Sequence, residues 1–209
     1  MPEHHIAVII PAYNSARYIG EALESVAWQT LQPSEVVVVD DGSTDCTGQV
    51  AALFDGVKVV RQENGGPSAA RNTGVAATTA PIIAFLDADD IWLPDKLERQ
   101  AAALLADESL GYVLAQLRTY LSEGCEMPAS YRAERLGTVF PSPLPSSWFL
   151  RRKAFDQVGP FTTDLRLAED VEWLGRASTL GIPSFTVPEV LSLRRVHETN
   201  ISMIDPLAH

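Results

Sequence analysis

Three polar clusters hold most of the residues whose types and spacing suit chemistry: Pro11-Ala12-Tyr13-Asn14, Asp40-Asp41-Gly42-Ser43-Thr44-Asp45 and Asp87-Ala88-Asp89-Asp90. In extended backbone, residues i and i+2 point the same way, so Asp87 and Asp89 are expected to face one site. Close carboxylates repel, and one keeps its proton near neutrality unless a cation intervenes. Oxygen-only ligation selects a hard cation, Mg2+ or Mn2+, which keeps positions open for water and ligand phosphates. Spacing alone leaves a second explanation standing: solvated acids ahead of a helix beginning near Pro94, where negative charge is favoured. Asp40 to Asp45 divides in the same way. An Asp-Gly turn and a helix cap account for most of it, yet two adjacent acids beyond a strand also suit ribose hydroxyls or a base N–H.

Composition limits what such clusters can bind. The 209 residues include 16 Lys and Arg against 27 Asp and Glu, a formal net charge of −11. That excess of acid disfavours a nucleic-acid backbone and an anionic lipid surface, both of which need a basic face. A phosphorylated ligand then requires a divalent cation or local Arg side chains. Cys46 and Cys125 are too few for a disulfide framework or a cysteine-based zinc site. No stretch reaches the ~18 apolar residues of a membrane span. Met1 to Ile10 lacks the basic start, apolar run and cleavage site of a signal peptide. The expectation is one soluble, cytoplasmic domain, with His4 and His5 a solvated pair ahead of it.

The elements that must position the clusters alternate between strand and helix. Ile6 to Ile10, Glu35 to Val39, Val57 to Arg61 and Ile82 to Leu86 are short apolar runs of strand length. Between them, Ala16 to Thr30, Asp45 to Phe54 and Ser68 to Thr78 read as helices, capped in the first two cases by Ser15 and by Ser43 or Thr44. A fourth helix is expected from Pro94 to Leu105. Strands separated by helices of this length imply βαβ units and a parallel sheet. After Gly111 the pattern loosens. Tyr112 to Leu121 suits a strand, and Ser122 to Pro145, with four prolines, reads as irregular. Ser147 to Arg151 suits a strand, Lys153 to Val158 and Val171 to Leu180 suit helices, and Phe185 to Val196 suits one or two strands. Gly181 stands as a C-terminal stop. In such open sheets ligands bind beyond the carboxyl ends of the strands, where all three polar clusters lie. A dinucleotide-binding reading fails, because Pro-Ala-Tyr-Asn stands where a Gly-x-Gly-x-x-Gly loop is needed, and no P-loop is present.

These motifs, in their order, resemble the family-2 glycosyltransferases of the GT-A fold. The resemblance rests on Val8-Ile9-Ile10-Pro11-Ala12-Tyr13-Asn14, Val39-Asp40-Asp41-Gly42-Ser43-Thr44-Asp45, Gly66-Pro67-Ser68-Ala69-Ala70-Arg71-Asn72-Thr73-Gly74 and Phe85-Leu86-Asp87-Ala88-Asp89-Asp90. Val158-Gly159-Pro160-Phe161, Glu169-Asp170 and Val196-His197 before Asn200 extend it to about residue 202. It implies a single α/β domain over 1–209 with a mostly parallel central sheet flanked by helices. About 1–110 would form the nucleotide-sugar-binding half and about 111–209 the acceptor and catalytic half.

The resemblance also implies roles. Pro11 and Tyr13 would line the nucleobase pocket and Asp41 would accept a hydrogen bond from the base. Arg71 and Asn72 would support the pyrophosphate or its loop, and Asp87 would approach ribose or metal. Asp89, second acid of the Asp-x-Asp motif, would hold Mn2+ or Mg2+, joined by His197. Asp170 would be the general base of a single displacement that inverts the anomeric carbon, without the covalent carboxylate of a double-displacement glycosidase. The donor is expected to be a UDP-sugar. The acceptor is open among glycan, lipid-linked sugar and peptide, recognised by Ser122 to Pro145, by a partner, or by a second subunit of a homodimer. Tyr112, Tyr120, Tyr131, Trp148 and Trp173 are candidates to stack on a sugar. The alternative is a non-catalytic nucleotide-sugar-binding module, which would lack the metal or the base.

Overall fold

A computed structural model describes residues 5–124, 126–128, 131–165, 168–198 and 200; His4 and Cys125 lie outside them. The first strand, β1 (Ile6–Ala12), is buried along almost its whole length, as a strand with helices on both faces must be. It pairs in parallel with β2 (Glu35–Asp40) on one side and β4 (Ile82–Phe85) on the other. β3 (Val57–Arg61) extends the sheet in parallel from β2. Chain direction outward from β1 therefore switches between β1 and β4, and the crevice at their carboxyl ends receives the polar clusters.

Helix α1 (Ile19–Ala27) buries Ile19, Ala22, Leu23 and Val26 on one face of this sheet. α2 (Thr47–Ala51) follows β2, and α3 (Gly66–Ala76) packs on the opposite face. α3 lies unusually close to β1 and β2, because a Cβ added at Gly74 would stand 2.3 Å from Ile9 Cγ2 and 3.3 Å from Val39 Cγ2. The glycine is thus a packing requirement in the middle of a helix, where it otherwise costs stability.

The chain then reverses the sheet's direction. β8 (Phe149–Arg151) pairs antiparallel with β4 and with the start of β6 (Tyr112–Leu121). β6 runs parallel with β9 (Ser184–Val196) over its full length. β5 (Ile91–Trp92) closes the far edge against β9, and β7 (Val139–Pro141) adds to β6. α4 (Lys96–Ala106), α5 (Arg152–Val158) and α6 (Glu169–Thr179) complete the single mostly parallel α/β domain. Phe85, Tyr112, Trp148, Phe155, Phe161 and Trp173 form the core beneath α5 and α6.

Several boundaries differ from the sequence reading. α1 begins four residues after Ser15, whose hydroxyl donates to Tyr13 O while its carbonyl accepts from Tyr18 and Ile19. Neither Ser43 nor Thr44 caps α2; both bond Asn14 instead. α3 starts at Gly66 with Pro67 in its first turn, a position that loses no hydrogen bond. β5 and β7 were not anticipated, being too short to show a period. Phe185 to Val196 belongs to one strand, whose register slips beside Pro188, a residue that cannot donate to the ladder. Gly181, at φ +67, ends α6 as expected. His5 is exposed and bonds Glu35 Oε1 at 2.7 Å.

Candidate active site

The loops after β1 and β2 are tied together by short polar side chains. Asn14 sits at φ +48, a conformation Asn tolerates better than most residues. Its N–H donates to Ser43 Oγ (3.0 Å), and its Oδ1 accepts from the Thr44 amide (2.8 Å). The amides of Ser15 and Ala16 donate to Thr47 Oγ1 (2.8 Å) and Asp45 Oδ2 (3.1 Å). Gly42, at φ +76, makes the turn where an added Cβ would stand 2.9 Å from the Asn64 amide. Pro11 is half-buried at the end of β1, and Tyr13 is left 48% exposed over the crevice.

Asp40 and Asp41 are both buried, with different partners. Asp40 accepts from Arg61 Nη1 (2.7 Å) and the Ser43 amide (2.9 Å). Asp41 Oδ1 accepts from Gln62 Nε2 (2.7 Å) and the Gly65 amide (2.9 Å), and its Oδ2 accepts from the Gly66 amide (2.8 Å). The Asp41 carboxylate therefore lies at the N-terminal end of α3, where exposed amides and the helix dipole favour negative charge.

β4 stops at Phe85, so Asp87 and Asp89 stand in a turn closed by the Asp90 amide on Asp87 O (3.0 Å). Extended geometry does not apply there, and the two acids reach different partners. Asp87 Oδ1 accepts from Arg71 Nη2 (2.8 Å), and its amide donates to Ser146 Oγ (3.0 Å). Asp89 Oδ2 lies 3.0 Å from His197 Nε2 and accepts from Asn200 Nδ2 at 3.1 Å. Asn200 Oδ1 also accepts from the His197 amide (2.8 Å), which fixes the end of β9 beside the turn. Asp90 is buried, and desolvation first, then the charges of Asp89 and Asp87, push its carboxyl well above the usual range. Its Oδ1 accepts from the Arg195 amide (3.1 Å). The Arg195 guanidinium, buried between the rings of Tyr18 and Tyr120, donates to Asp89 O, Ser122 Oγ and Glu21 Oε2.

Among the described residues, no cluster of three or more His, Cys, Asp or Glu side chains is gathered as a metal site. The pair Asp89 and His197 nevertheless suits a divalent ion. One carboxylate and one imidazole, outwardly accessible at Asp89, make a partial donor set that leaves coordination positions for phosphate oxygens and water.

The third part of the site is the start of α6. Ala168 precedes it at φ +64, a left-handed conformation unfavourable for a residue with a Cβ. Glu169 and Asp170 occupy the first helical turn rather than capping a helix that begins at Val171. Glu169 Oε1 accepts from Arg71 Nη1 at 2.7 Å. Asp170 Oδ1 accepts from the Val171 amide (2.7 Å). Burial raises the Asp170 pKa; the Val171 amide and the Arg71 charge oppose the rise, while the charges of Glu169 and Asp87 add to it. A carboxylate of raised proton affinity in a crevice is suited to general-base work.

Arg71 is buried and Asn72 half-buried. Arg71 is buried between Asp87 and Glu169, and both Asn72 carboxamide atoms bond the Phe161 backbone. Of the aromatic candidates for stacking on a sugar, Tyr112, Trp148 and Trp173 are in the core. Tyr131 is half-buried, and Tyr120 packs on Arg195 with its hydroxyl buried. Three contributors escaped the sequence reading as site residues: Asn200, Arg195 and Ser146. Asn200 stood in the sequence only as a marker of the motif around His197, the adjacent pair Arg194-Arg195 was the one signal for Arg195, and Ser146 had none.

A family model described as Glycosyl transferase family 2 matches residues 7–159. The chain is similar to an uncharacterized glycosyltransferase of Rickettsia felis, 29% identical over 210 residues covering 96% of this chain and 34% of that protein. It is 43% identical to one of Nostoc sp. over 111 residues, 51% of this chain and 34% of the relative. The chain thus spans about a third of the length of these relatives. Among solved structures, S. aureus TarS 1-349 in complex with UDP-GlcNAc matches with a TM-score of 0.73 and 27% identity, over 93% of this chain and 59% of that one. The mannosyltransferase PcManGT from Pyrobaculum calidifontis, in complex with GDP-Man and Mn2+, matches with a TM-score of 0.71 and 24% identity, over 91% and 56%. The second likeness is one of fold.

Proposed function

This chain belongs to glycosyl transferase family 2, and from that premise we propose that it transfers a sugar from a nucleotide-diphosphate donor to an acceptor nucleophile with inversion. A UDP-sugar is favoured, since the TarS structure that the chain resembles over 93% of its length carries UDP-GlcNAc. The observation that carries the reading is a single guanidinium. Arg71 touches both Asp87, at the donor-side strand end, and Glu169, neighbour of the base Asp170. Donor-side acid and base-side helix therefore open on one crevice.

In this reading Pro11 and Tyr13 border the base, and Asp41 holds the loop around it while accepting from a base N–H. Asp87 orients the ribose side of the donor. Asp89 and His197 would hold Mn2+ or Mg2+, which when bound supplies positive charge against the leaving diphosphate. Asp170 takes the proton from the acceptor nucleophile as it attacks the anomeric carbon from the face opposite the nucleotide. One attack inverts the configuration, and the scheme needs no second carboxylate nucleophile. The 1–110 half supplies the donor contacts, and the 111–209 half supplies the base and the acceptor side.

The test is a thermal-shift titration of UDP, GDP and dTDP, each with Mn2+, Mg2+ or chelator. At ~100 times its dissociation constant a ligand adds about 2.7 kcal/mol of stability. UDP is expected to stabilise most, and more with metal than with chelator. A shift indifferent to metal would remove the cation from the site.

A further inference from the structure

Two consecutive residues of α3 reach across the molecule. The Asn72 carboxamide grips Phe161 through both backbone groups, Nδ2 donating to its carbonyl and Oδ1 accepting from its amide, each at 2.9 Å across 89 residues of sequence. Phe161 in turn lies beneath the Arg71 guanidinium, whose Cζ is 5.5 Å from the ring centroid. From that platform Arg71 sends one terminal nitrogen to Asp87 and the other to Glu169. Arg71 is 4% exposed and its Nε is buried without a partner among the described residues, so its fork is closed to bulk ligand by burial and is held by the two carboxylates. Asn72 has spent both polar atoms of its side chain on Phe161.

We propose that Arg71 and Asn72 are positioning residues, a brace from α3 that sets the distance between the donor-side turn at Asp87 and the helix turn carrying Asp170. This rests on the glycosyltransferase reading and alters the role that resemblance implied for the two residues, from donor contacts to supports. The left-handed Ala168 fits the same arrangement. It turns the backbone so that Glu169 enters the interior toward Arg71, and an isolated residue would not hold that conformation unaided. A planar guanidinium suits the task because its fixed fork satisfies two carboxylates at once, which a lysine ammonium would do without fixed directions. Misplacement of a reacting group by about 1 Å can cost a factor of about 10² in rate. Loosening the base-side half of the brace, with the Arg71–Asp87 bond kept, therefore acts on the chemical step and leaves donor binding nearly alone.

Asn72→Ser and the isosteric Glu169→Gln, which both keep the Arg71–Asp87 bond, test it in the full chain. UDP affinity is measured by calorimetry with Mn2+, and turnover as hydrolysis of a panel of UDP- and GDP-sugars. The expected result is kcat down by about 10- to 100-fold, with UDP Kd changed by less than about threefold. Hydrogen exchange gives a readout independent of turnover. The Glu172 amide, bonded to Ala168 O at 2.9 Å, should exchange faster in Asn72→Ser and Glu169→Gln alike. Unchanged Glu172 exchange, unchanged kcat, or a UDP Kd that weakens in step with kcat would each overturn the brace. A parent chain that neither binds UDP or GDP nor turns over any sugar nucleotide would overturn the glycosyltransferase reading instead, and Glu172 exchange would still judge the brace.

Discussion

The loops after β1 and β2 are held by Asn14, Ser43, Asp45 and Thr47, side chains with one or two rotatable bonds that reach backbone amides of the facing loop. The N-terminus of α6 is held by a buried guanidinium that spans 98 residues of sequence. The two regions flank one crevice and fail in different ways. A lost loop hydrogen bond costs roughly 0.5–1.5 kcal/mol and is replaced in part by water. Removing one partner of a buried ion pair strands the other charge and costs about 3–5 kcal/mol. The tie between the β1 and β2 loops is thus built from several small, replaceable contacts, and the anchor of α6 from a few large ones.

The largest effect that would sharpen this contrast lies at Asp170. Asp170→Asn keeps shape but cannot accept a proton at neutral pH, so turnover should fall by about 10²- to 10⁴-fold while UDP affinity by calorimetry stays level. In the parent, Asp170 must be ionised to act. Its raised pKa therefore places the acid limb of kcat above the ordinary carboxylate range, with the rate falling as pH falls through that raised value. In stability the sign reverses: the folded chain holds this proton more tightly than the unfolded one, so the contribution is present at low pH and lost as pH rises through the folded pKa. A limb at ordinary carboxylate pH, or a variant within threefold of the parent, would remove Asp170 from the base-side account.

Asn200→Ala comes next. Asn200 touches both members of the Asp89–His197 pair, and outer partners of this kind are typically worth about 10- to 100-fold in metal affinity. Titrating Mn2+ against UDP binding checks this, and an unchanged midpoint would show the pair to be set by the turn at Asp89 alone. Gly74→Ala should have the smallest effect on the chemistry. The added methyl meets Ile9 in the core, an overpacking worth about 1–3 kcal/mol, read as a lower melting temperature with kcat per folded molecule unchanged.

The same contrast governs what the sequence made legible. Parallel strands β1 to β4 followed from apolar runs and intervening helices, and the polar clusters followed from the strand ends. Asp41, Asp87, Asp89, Asp170 and His197 could be singled out because each lies in a short motif. Their partners could not. Nothing in Arg71 announces Glu169, and nothing in Asn72 announces Phe161, because such pairs are created by tertiary packing and leave no local period. Asp87 and Asp89 were expected to point together, but a turn intervenes where β4 ends. Tyr112, Trp148 and Trp173 looked available to a sugar until the packing of α5 and α6 enclosed them.

The parallel pairing of β6 with β9 carries a consequence for how the chain is made. Parallel partners must wait for the intervening sequence, and residues 112–121 find 184–196 only after all of it has left the ribosome. His197 stands at the end of that last strand, 108 residues after Asp89. A nascent chain that has completed β1 to β4 already displays Asp41, Asp87 and Asp89, but not the imidazole that meets Asp89. The Asp89–His197 contact is therefore completed only once β9 has docked on β6, and its presence reports that docking.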